Sequence, residues 1–256
     1  MAVLVARDAR ADGGYVARIT IDNAAKLNTI NRALAVEIVE TIQQLEDDSA
    51  LRLVILTGAG ERAFVGGADL NELAHLDHSS AAEFITLIHR CCDGFRRLAA
   101  PVIARIDGFA LGAGLEVAVS CDLRVASTRA QFGMPEVKVG IPSVVEAALI
   151  PQLIGFGRAR ELLMLGETID AATALRWGLV ERVVAPEALD AEVEKIVAAL
   201  LAAGAQAVRR QKTLMQAWER LPSDEAIAAG VDAFTRAFES DEPKRMLSAF
   251  AKRKRD

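Results

Sequence analysis

Glu116 and Glu136 are the two side chains whose surroundings suggest chemistry. Glu116 closes the segment Asp107-Gly108-Phe109-Ala110-Leu111-Gly112-Ala113-Gly114-Leu115-Glu116, in which a strand runs into glycines and then into an apolar helix. A carboxylate near the start of such a helix is costly to bury unless it has partners or a task. The first amides of the helix are free donors with a favourable dipole. Glu136 follows Pro135 in Gln131-Phe132-Gly133-Met134-Pro135-Glu136, and the proline biases Met134 toward an extended shape. A third segment, Phe64-Val65-Gly66-Gly67-Ala68-Asp69-Leu70, lets Gly66 and Gly67 take unusual angles, with Asp69 free to cap a following helix. Amides near Ala68 could then converge on an anion or oxyanion. Each segment alone has a plainer reading: a glycine turn, a carboxylate bonded to amides, an exposed loop acid. Together they suit one task, in which the amides stabilise an enolate oxygen and the carboxylates move protons around a water.

Other chemistries fit less well. Gly112-Ala113-Gly114-Leu115-Glu116-Val117 lacks the third glycine of a dinucleotide fingerprint. His75 and His78 stand three apart without an acidic or cysteine cluster at metal-ligand spacing, so no metal site is expected. They are read as part of a surface segment covering the substrate, and His89 as a helix-face residue.

The elements that must position these residues are legible in outline. Residues 3–5 and 15–21 read as strands joined by the turn Ala11-Asp12-Gly13-Gly14. Leu34, Ile38, Ile42 and Leu45 give residues 31–46 a helical period, with Asn31 as its cap. A strand at 51–57 is followed by a loop at 61–69, an amphipathic stretch to about Leu98, and strands at 101–106 and 123–126. From Val144 the pattern is helical apart from 180–184, with weak breaks at Gly204, Pro222 and Pro243. Alternating strands and helices followed by helices predict an α/β core over residues 1–190 and a helical C-terminal region over 191–256.

Composition narrows the classes. With 30 Lys+Arg against 35 Asp+Glu, the net charge of −5 excludes a wholesale basic nucleic-acid surface. The 52% hydrophobic content excludes disorder, and aromatics at 5% leave the core to Ala, Val, Leu and Ile. The cationic run Lys252-Arg253-Lys254-Arg255 reads as a solvated end or as a phosphate contact, in the same or a neighbouring subunit. No apolar run reaches the roughly 18 residues of a membrane span; the longest, residues 144–154, is broken by Glu146 and Pro151. The first residues lack a basic leader and read as no signal peptide. Cys91, Cys92 and Cys121 include no C-x-x-C and read as reduced, buried thiols of a cytoplasmic protein.

From about Val16 to its end the sequence resembles the enoyl-CoA hydratase/isomerase family, the crotonases. The resemblance rests on Ala63-Phe64-Val65-Gly66-Gly67-Ala68-Asp69-Leu70, on Pro101-Val102-Ile103-Ala104 leading into Gly108 to Glu116, and on Cys121-Asp122-Leu123-Arg124-Val125-Ala126. It rests also on Gln131-Phe132 through Pro135-Glu136 and on Ala174-Leu175-Arg176-Trp177-Gly178-Leu179-Val180. The resemblance implies a spiral of β-β-α repeats with a helical C-terminal trimerisation region, and a homotrimer or dimer of trimers. It implies a lyase, an enoyl-CoA hydratase of fatty acid metabolism that adds water across the 2,3 double bond of a 2-enoyl-CoA. Ala68 and Ala113 would supply the oxyanion-hole amides, Glu116 the base that activates water, and Glu136 the acid that protonates the α-carbon. Lys26, Gly66, Gly67, Asp69, Leu70, Gly112, Ser143 and Arg253 would line the substrate and CoA. No metal or cofactor is implied, coenzyme A being part of the substrate, and no nucleic acid or membrane partner.

The sequence departs from the family pattern in three places. Ala113 stands where glycine is common, and Lys26 is displaced by one from a basic position that falls here on Ala25. The segment Gly140-Ile141-Pro142-Ser143-Val144-Val145-Glu146-Ala147 is one residue shorter and bulkier than the glycine-rich run of hydratases, which predicts a reshaped acyl site. Glu146 is read as a solvated or capping residue, with a third carboxylate near the pocket as the alternative. The competing functions are an enoyl-CoA isomerase, a hydratase that also hydrolyses the thioester, and a non-catalytic acyl-CoA or RNA binder.

Overall fold

The computed structural model describes residues 1–10 and 13–253, with the side chain of Arg253 also left out. Ala11 and Asp12 of the expected turn, and Lys254 and Arg255 of the cationic run, lie outside the described residues. The chain forms two compact units, residues 1–98 with 102–194 and residues 99–101 with 195–256.

The strands are β1 (Ala2–Ala9), β2 (Tyr15–Asp22), β3 (Leu51–Gly58), β4 (Ala63–Val65), β5 (Val102–Ile106), β6 (Phe109–Leu111), β7 (Leu123–Ser127), β8 (Gln131–Gly133), β9 (Thr168–Asp170) and β10 (Arg182–Val184). The helices of the first unit are α1 (Arg32–Glu46), α2 (Leu70–Leu73), α3 (His78–Arg97), α4 (Ala113–Ser120), α5 (Ile150–Leu165) and α6 (Ala171–Trp177). One sheet runs β1-β2-β3-β5-β7-β10 and the other β4-β6-β8-β9. The chain places β3, β5 and β7 in the first sheet and the strand after each, β4, β6 and β8, in the second, as the expected β-β-α spiral requires.

Pairing explains the composition of the strands. β2, β3, β5, β7 and β10 pair in parallel, and β1 closes one edge antiparallel to β2. Parallel strands covered on both faces read as near-continuous apolar runs. Ile19, Leu53, Val54, Val102, Ile103, Ile106 and Val125 are accordingly buried. Asn31 caps α1 by accepting from the Leu34 amide, and the stripe Leu34, Ile38, Ile42 and Leu45 is buried as its spacing predicts. A capping box between Asp77 and Ser80 starts α3, which buries Phe84, Ile88, Cys91, Cys92 and Phe95. The three cysteines are free and buried.

Sequence reading misses the second sheet. Residues 61–69, expected as a loop, contain β4, and β9 interrupts the expected helical run after Val144. The strands of this sheet are three residues each, too short to show a period of two.

In the second unit, α7 (Leu189–Ala202) leads in from the first, α8 (Ala205–Trp218) follows Gly204, α9 (Ser223–Ala237) follows Pro222, and α10 (Glu242–Arg253) carries Pro243 in its first turn. The expected breaks therefore fall at helix starts, where glycine and proline are tolerated. The Glu242 carboxylate accepts from the Gln206 and Ala207 amides at 3.1 and 2.9 Å, supplying the cap that Gly204 cannot. Ile227, Val231, Phe234 and Phe238 share one exposed face of this unit along and just past α9. Among the described residues no helix is long and apolar enough to cross a membrane.

Candidate active site

The second sheet assembles the three chemical motifs. β4, β6 and β8 are parallel neighbours, so they end at one edge, with Val65 and Ala110 in register and Leu111 opposite Gly133. Each motif begins where one of these strands stops: Gly66-Gly67-Ala68 after β4, Gly112-Ala113 after β6 and Met134-Pro135-Glu136 after β8. The Gly112 amide ties two of them by donating to the Gly133 carbonyl at 2.9 Å.

Among the described residues, the main-chain N–H groups of Ala68 and Ala113 at this edge make no hydrogen bond in a turn, loop or cap. The Ile30 amide donates to Gly67 O at 2.8 Å and the Asp69 amide to Ile30 O at 2.9 Å. Ala68, held between them, pairs with Ile30 as an isolated parallel bridge and so turns its own N–H away from that partner. Ala113 is the first residue of α4, where an N–H has no partner within the helix. Its predecessor Gly112 has φ +50°, and a Cβ there would overlap Glu136 Oε1 while standing 4.0 Å from Gly67 Cα. Gly114 is required by close approach: a Cβ there would overlap the Val65 carbonyl oxygen. These two glycines let α4 start directly against β4 and bring Glu136 to the same point.

The two glutamates differ in depth. Glu116 is 3% exposed, and its Oε1 accepts from the Ala147 amide at 3.3 Å. Burial first, then the negative charges of Glu136 and Glu146, push its pKa up to about 8. Glu136 is half-buried, its Oε2 accepting from Ser143 Oγ at 2.9 Å. Burial raises its pKa as well, against the lowering effect of a backbone amide and of the Ser143 hydroxyl. Burial and the neighbouring charges therefore favour the protonated form of the deeper carboxyl.

The remaining sequence-predicted residues divide. Gly66 donates its amide to Leu27 O at 2.8 Å, at the end of β4. Asp69 is buried with both carboxylate oxygens engaged, one capping α2 through the Asn71 amide at 2.8 Å and one paired with Lys26 Nζ at 3.2 Å. Lys26 and Leu70 are exposed. Arg253 ends α10, and its side chain lies outside the described residues. His75 and His78 are exposed, one bonding Asn71 O through Nδ1 and the other starting α3. Glu146 corrects the preferred expectation. It is 7% exposed rather than solvated, its Oε1 meets His89 Nδ1 rather than a helix-end amide, and its charge acts on Glu116. The signal available in sequence was its position inside the apolar run 144–154. Sequence reasoning also missed the Ala147 amide, since a main-chain donor leaves no residue-type signature.

Comparison with known proteins agrees with this geometry. The family model described as enoyl-CoA hydratase/isomerase matches residues 12–256. The chain is 36% identical over 241 residues to a crotonyl-CoA hydratase of Syntrophomonas wolfei subsp. wolfei, covering 94% of this chain and 93% of that one. It is 36% identical over 243 residues to a short-chain-enoyl-CoA hydratase of Clostridium acetobutylicum, with the same 94% and 93% coverage. The crystal structure of an enoyl-CoA hydratase from Bacillus anthracis superposes with a TM-score of 0.91 at 30% identity, covering 97% of this chain and 96% of that one. The chain belongs to the enoyl-CoA hydratase/isomerase family, and its fold is the crotonase fold.

Proposed function

We propose that this protein is an enzyme that adds water across the 2,3 double bond of a 2-enoyl-CoA thioester. One observation carries the reading: two carboxylates of raised proton affinity lie at the sheet edge that also presents the Ala68 and Ala113 amides. In the proposed reaction those amides hold the thioester oxygen, which gains negative charge as water adds. A preorganised donor at such a position is worth about 3 kcal/mol. Glu116 takes a proton from water as the oxygen bonds to the β-carbon, and Glu136 gives its proton to the α-carbon. The pair enters and leaves this step with one proton, and exchange through the next water resets it. Deep burial favours that proton on Glu116, so the proposed step calls for its transfer to Glu136 before water adds. Addition of water changes no net oxidation state, so the reaction calls on no redox cofactor, and coenzyme A enters with the substrate.

The backbone of 66–70, with Gly112, Ser143, Lys26 and Arg253, is proposed to line the acyl-CoA. Residues 1–190 would carry the chemistry, and residues 191–256 assembly into a homotrimer or a dimer of trimers. The exposed apolar face of Ile227, Val231, Phe234 and Phe238 supports self-association. A cytoplasmic setting is supported by the three free, buried thiols. The net charge of −5 supports a small-molecule substrate over nucleic acid.

The test is the loss of conjugated-enone absorbance of crotonyl-CoA, with the product identified by a mass gain of one water. Turnover to the 3-hydroxyacyl-CoA is expected. A 3-enoyl product would instead mark an isomerase, and release of free coenzyme A a thioester hydrolase. Folded protein that leaves both short and long 2-enoyl-CoA unchanged overturns the reading.

A further inference from the structure

The segment that departs from the family pattern contains a buried ion-pair partner and a strained residue side by side. Val145 has φ +40°, in a region that β-branched side chains avoid. Such a conformation persists only where the surroundings over-determine it. Two bonds made by the next two residues hold it. Glu146 Oε1 lies 2.7 Å from Nδ1 of His89 on α3, and the Ala147 amide reaches Glu116 Oε1 on α4. The short helical turn Val145–Leu149 thus bridges α3 and α4.

Glu146 is well buried, whereas His89 is 47% exposed. The second carboxylate oxygen, Oε2, is buried without a hydrogen bond of ordinary geometry among the described residues. From α3 Glu146 faces His89, the weakly donating Cys92 thiol and Asp93, and from α4 its charge reaches Glu116. The adjoining start of α5, Ile150-Pro151-Gln152, brings no titratable group. A carboxylate only accepts hydrogen bonds, so the ionised form of Glu146 needs the His89 proton on Nδ1. The one hydrogen bond given to the Glu116 side chain among the described residues comes from the residue next to this clamp.

We propose that Glu146, clamped by His89, is a positioning residue for Glu116: the pair fixes the turn whose Ala147 amide orients the Glu116 carboxyl, and keeps a negative charge beside it. The proposal rests on the hydratase reading for its kinetic readout only. Glu146→Gln keeps the acceptor for His89 and the shape of the turn but removes the charge. A like charge nearby favours the protonated acid, so its removal makes Glu116 release its proton at lower pH. His89→Ala, at the exposed end, removes the donor that the ionised Glu146 carboxylate needs and loosens the turn.

The experiment pairs an infrared titration of the free protein with kinetics on crotonyl-CoA. The carboxylic C=O band that disappears in Glu116→Gln identifies Glu116. In Glu146→Gln its midpoint is expected at lower pH than in the parent protein, and the alkaline limb of kcat/KM should move with it. In His89→Ala, kcat is expected to fall about tenfold to a hundredfold, the size of effect that small misplacements produce, with KM within about twofold. Adding Val145→Gly to His89→Ala should restore part of kcat, because glycine tolerates the turn without a clamp. Unchanged band midpoint in Glu146→Gln, or unchanged kcat in folded His89→Ala, overturns the proposal. If the parent protein hydrates no enoyl-CoA, the functional reading fails while the infrared arm still decides the role of Glu146. If Glu146→Gln does not fold, His89→Ala decides it.

Discussion

In the proposed reaction Glu116 and Glu136 work as a unit, and the negative charge of Glu136 raises the proton affinity of Glu116. The state that can both accept and donate carries a single proton. Its population falls when the pair gains a second proton in acid and when it loses the last one in base. With Glu116 at about 8, kcat/KM for crotonyl-CoA is expected to follow a bell whose alkaline limb lies near pH 8. Glu116→Gln and Glu136→Gln should each lower kcat at least about a hundredfold, the range of a lost acid–base group. Near-full activity in either variant would sink the two-carboxylate scheme. Ser143 acts on the same pair through its 2.9 Å bond to Glu136. That bond favours the ionised form, so Ser143→Ala should raise the proton affinity of Glu136. The acid limb of the same profile is then expected at higher pH, with a loss of activity of a few-fold; an unmoved limb would show that the hydroxyl does not govern Glu136.

At the scale of elements, the site depends on α4 beginning flush against β4. Gly114 makes that contact, and a methyl there meets the Val65 carbonyl rather than a side chain that could turn aside. Overpacking of this kind costs about 1–3 kcal/mol or more. Gly114→Ala is therefore expected to lower the melting temperature and, by shifting Glu116, to lower kcat as well. Gly157, in the turn of α5 that follows the kink at Gly155, has open space where a methyl group would stand, with nothing within 4 Å. Gly157→Ala should leave kcat alone and raise stability by at most about 0.5–1 kcal/mol, the gain found in a helix interior. Thermal melts of the two variants side by side check the contrast, and equal effects would contradict the close approach.

For the molecule as a whole, burying the Glu116 carboxyl makes stability depend on pH. Its pKa rises from 4.5 to about 8 on folding. The folded form thus retains a proton that the unfolded chain releases between those values, so stability falls as pH rises through that window. Glu136 and Glu146 are raised too and add in the same sense. Glu116→Gln removes the largest of these contributions. Its melting temperature should exceed that of the parent protein by a margin that opens above pH 4.5 and is complete above 8. Each tenfold change in proton affinity is worth about 1.4 kcal/mol, so the margin corresponds to a few kcal/mol. No margin at pH 8 would mean that Glu116 is ionised in the folded protein. The second unit carries a different liability, the apolar face with Phe234 at 70% and Ile227 at 68% exposure. Phe234→Asp is expected to lower the mass found by sedimentation at micromolar concentration, and an unchanged mass would place the subunit contact elsewhere.

The sequence by itself determined the α/β class, the cap at Asn31, the break at Gly204, the apolar stripe of α1 and the residues of the three motifs. Each of these is local: a period of 3.6, a side chain bonding an amide three residues on, a glycine beside a helix start. Tertiary structure alone decided that the three motifs meet. They do so because β4, β6 and β8 pair in parallel and end together, and three-residue strands leave no periodic signal. Burial of Glu146 was decided the same way. Its neighbours His89 and Glu116 lie 57 and 30 positions away in the chain, and only the packing of α3 and α4 brings both to one turn. Ionisation follows burial and neighbouring charge, which are properties of the folded chain rather than of residue order.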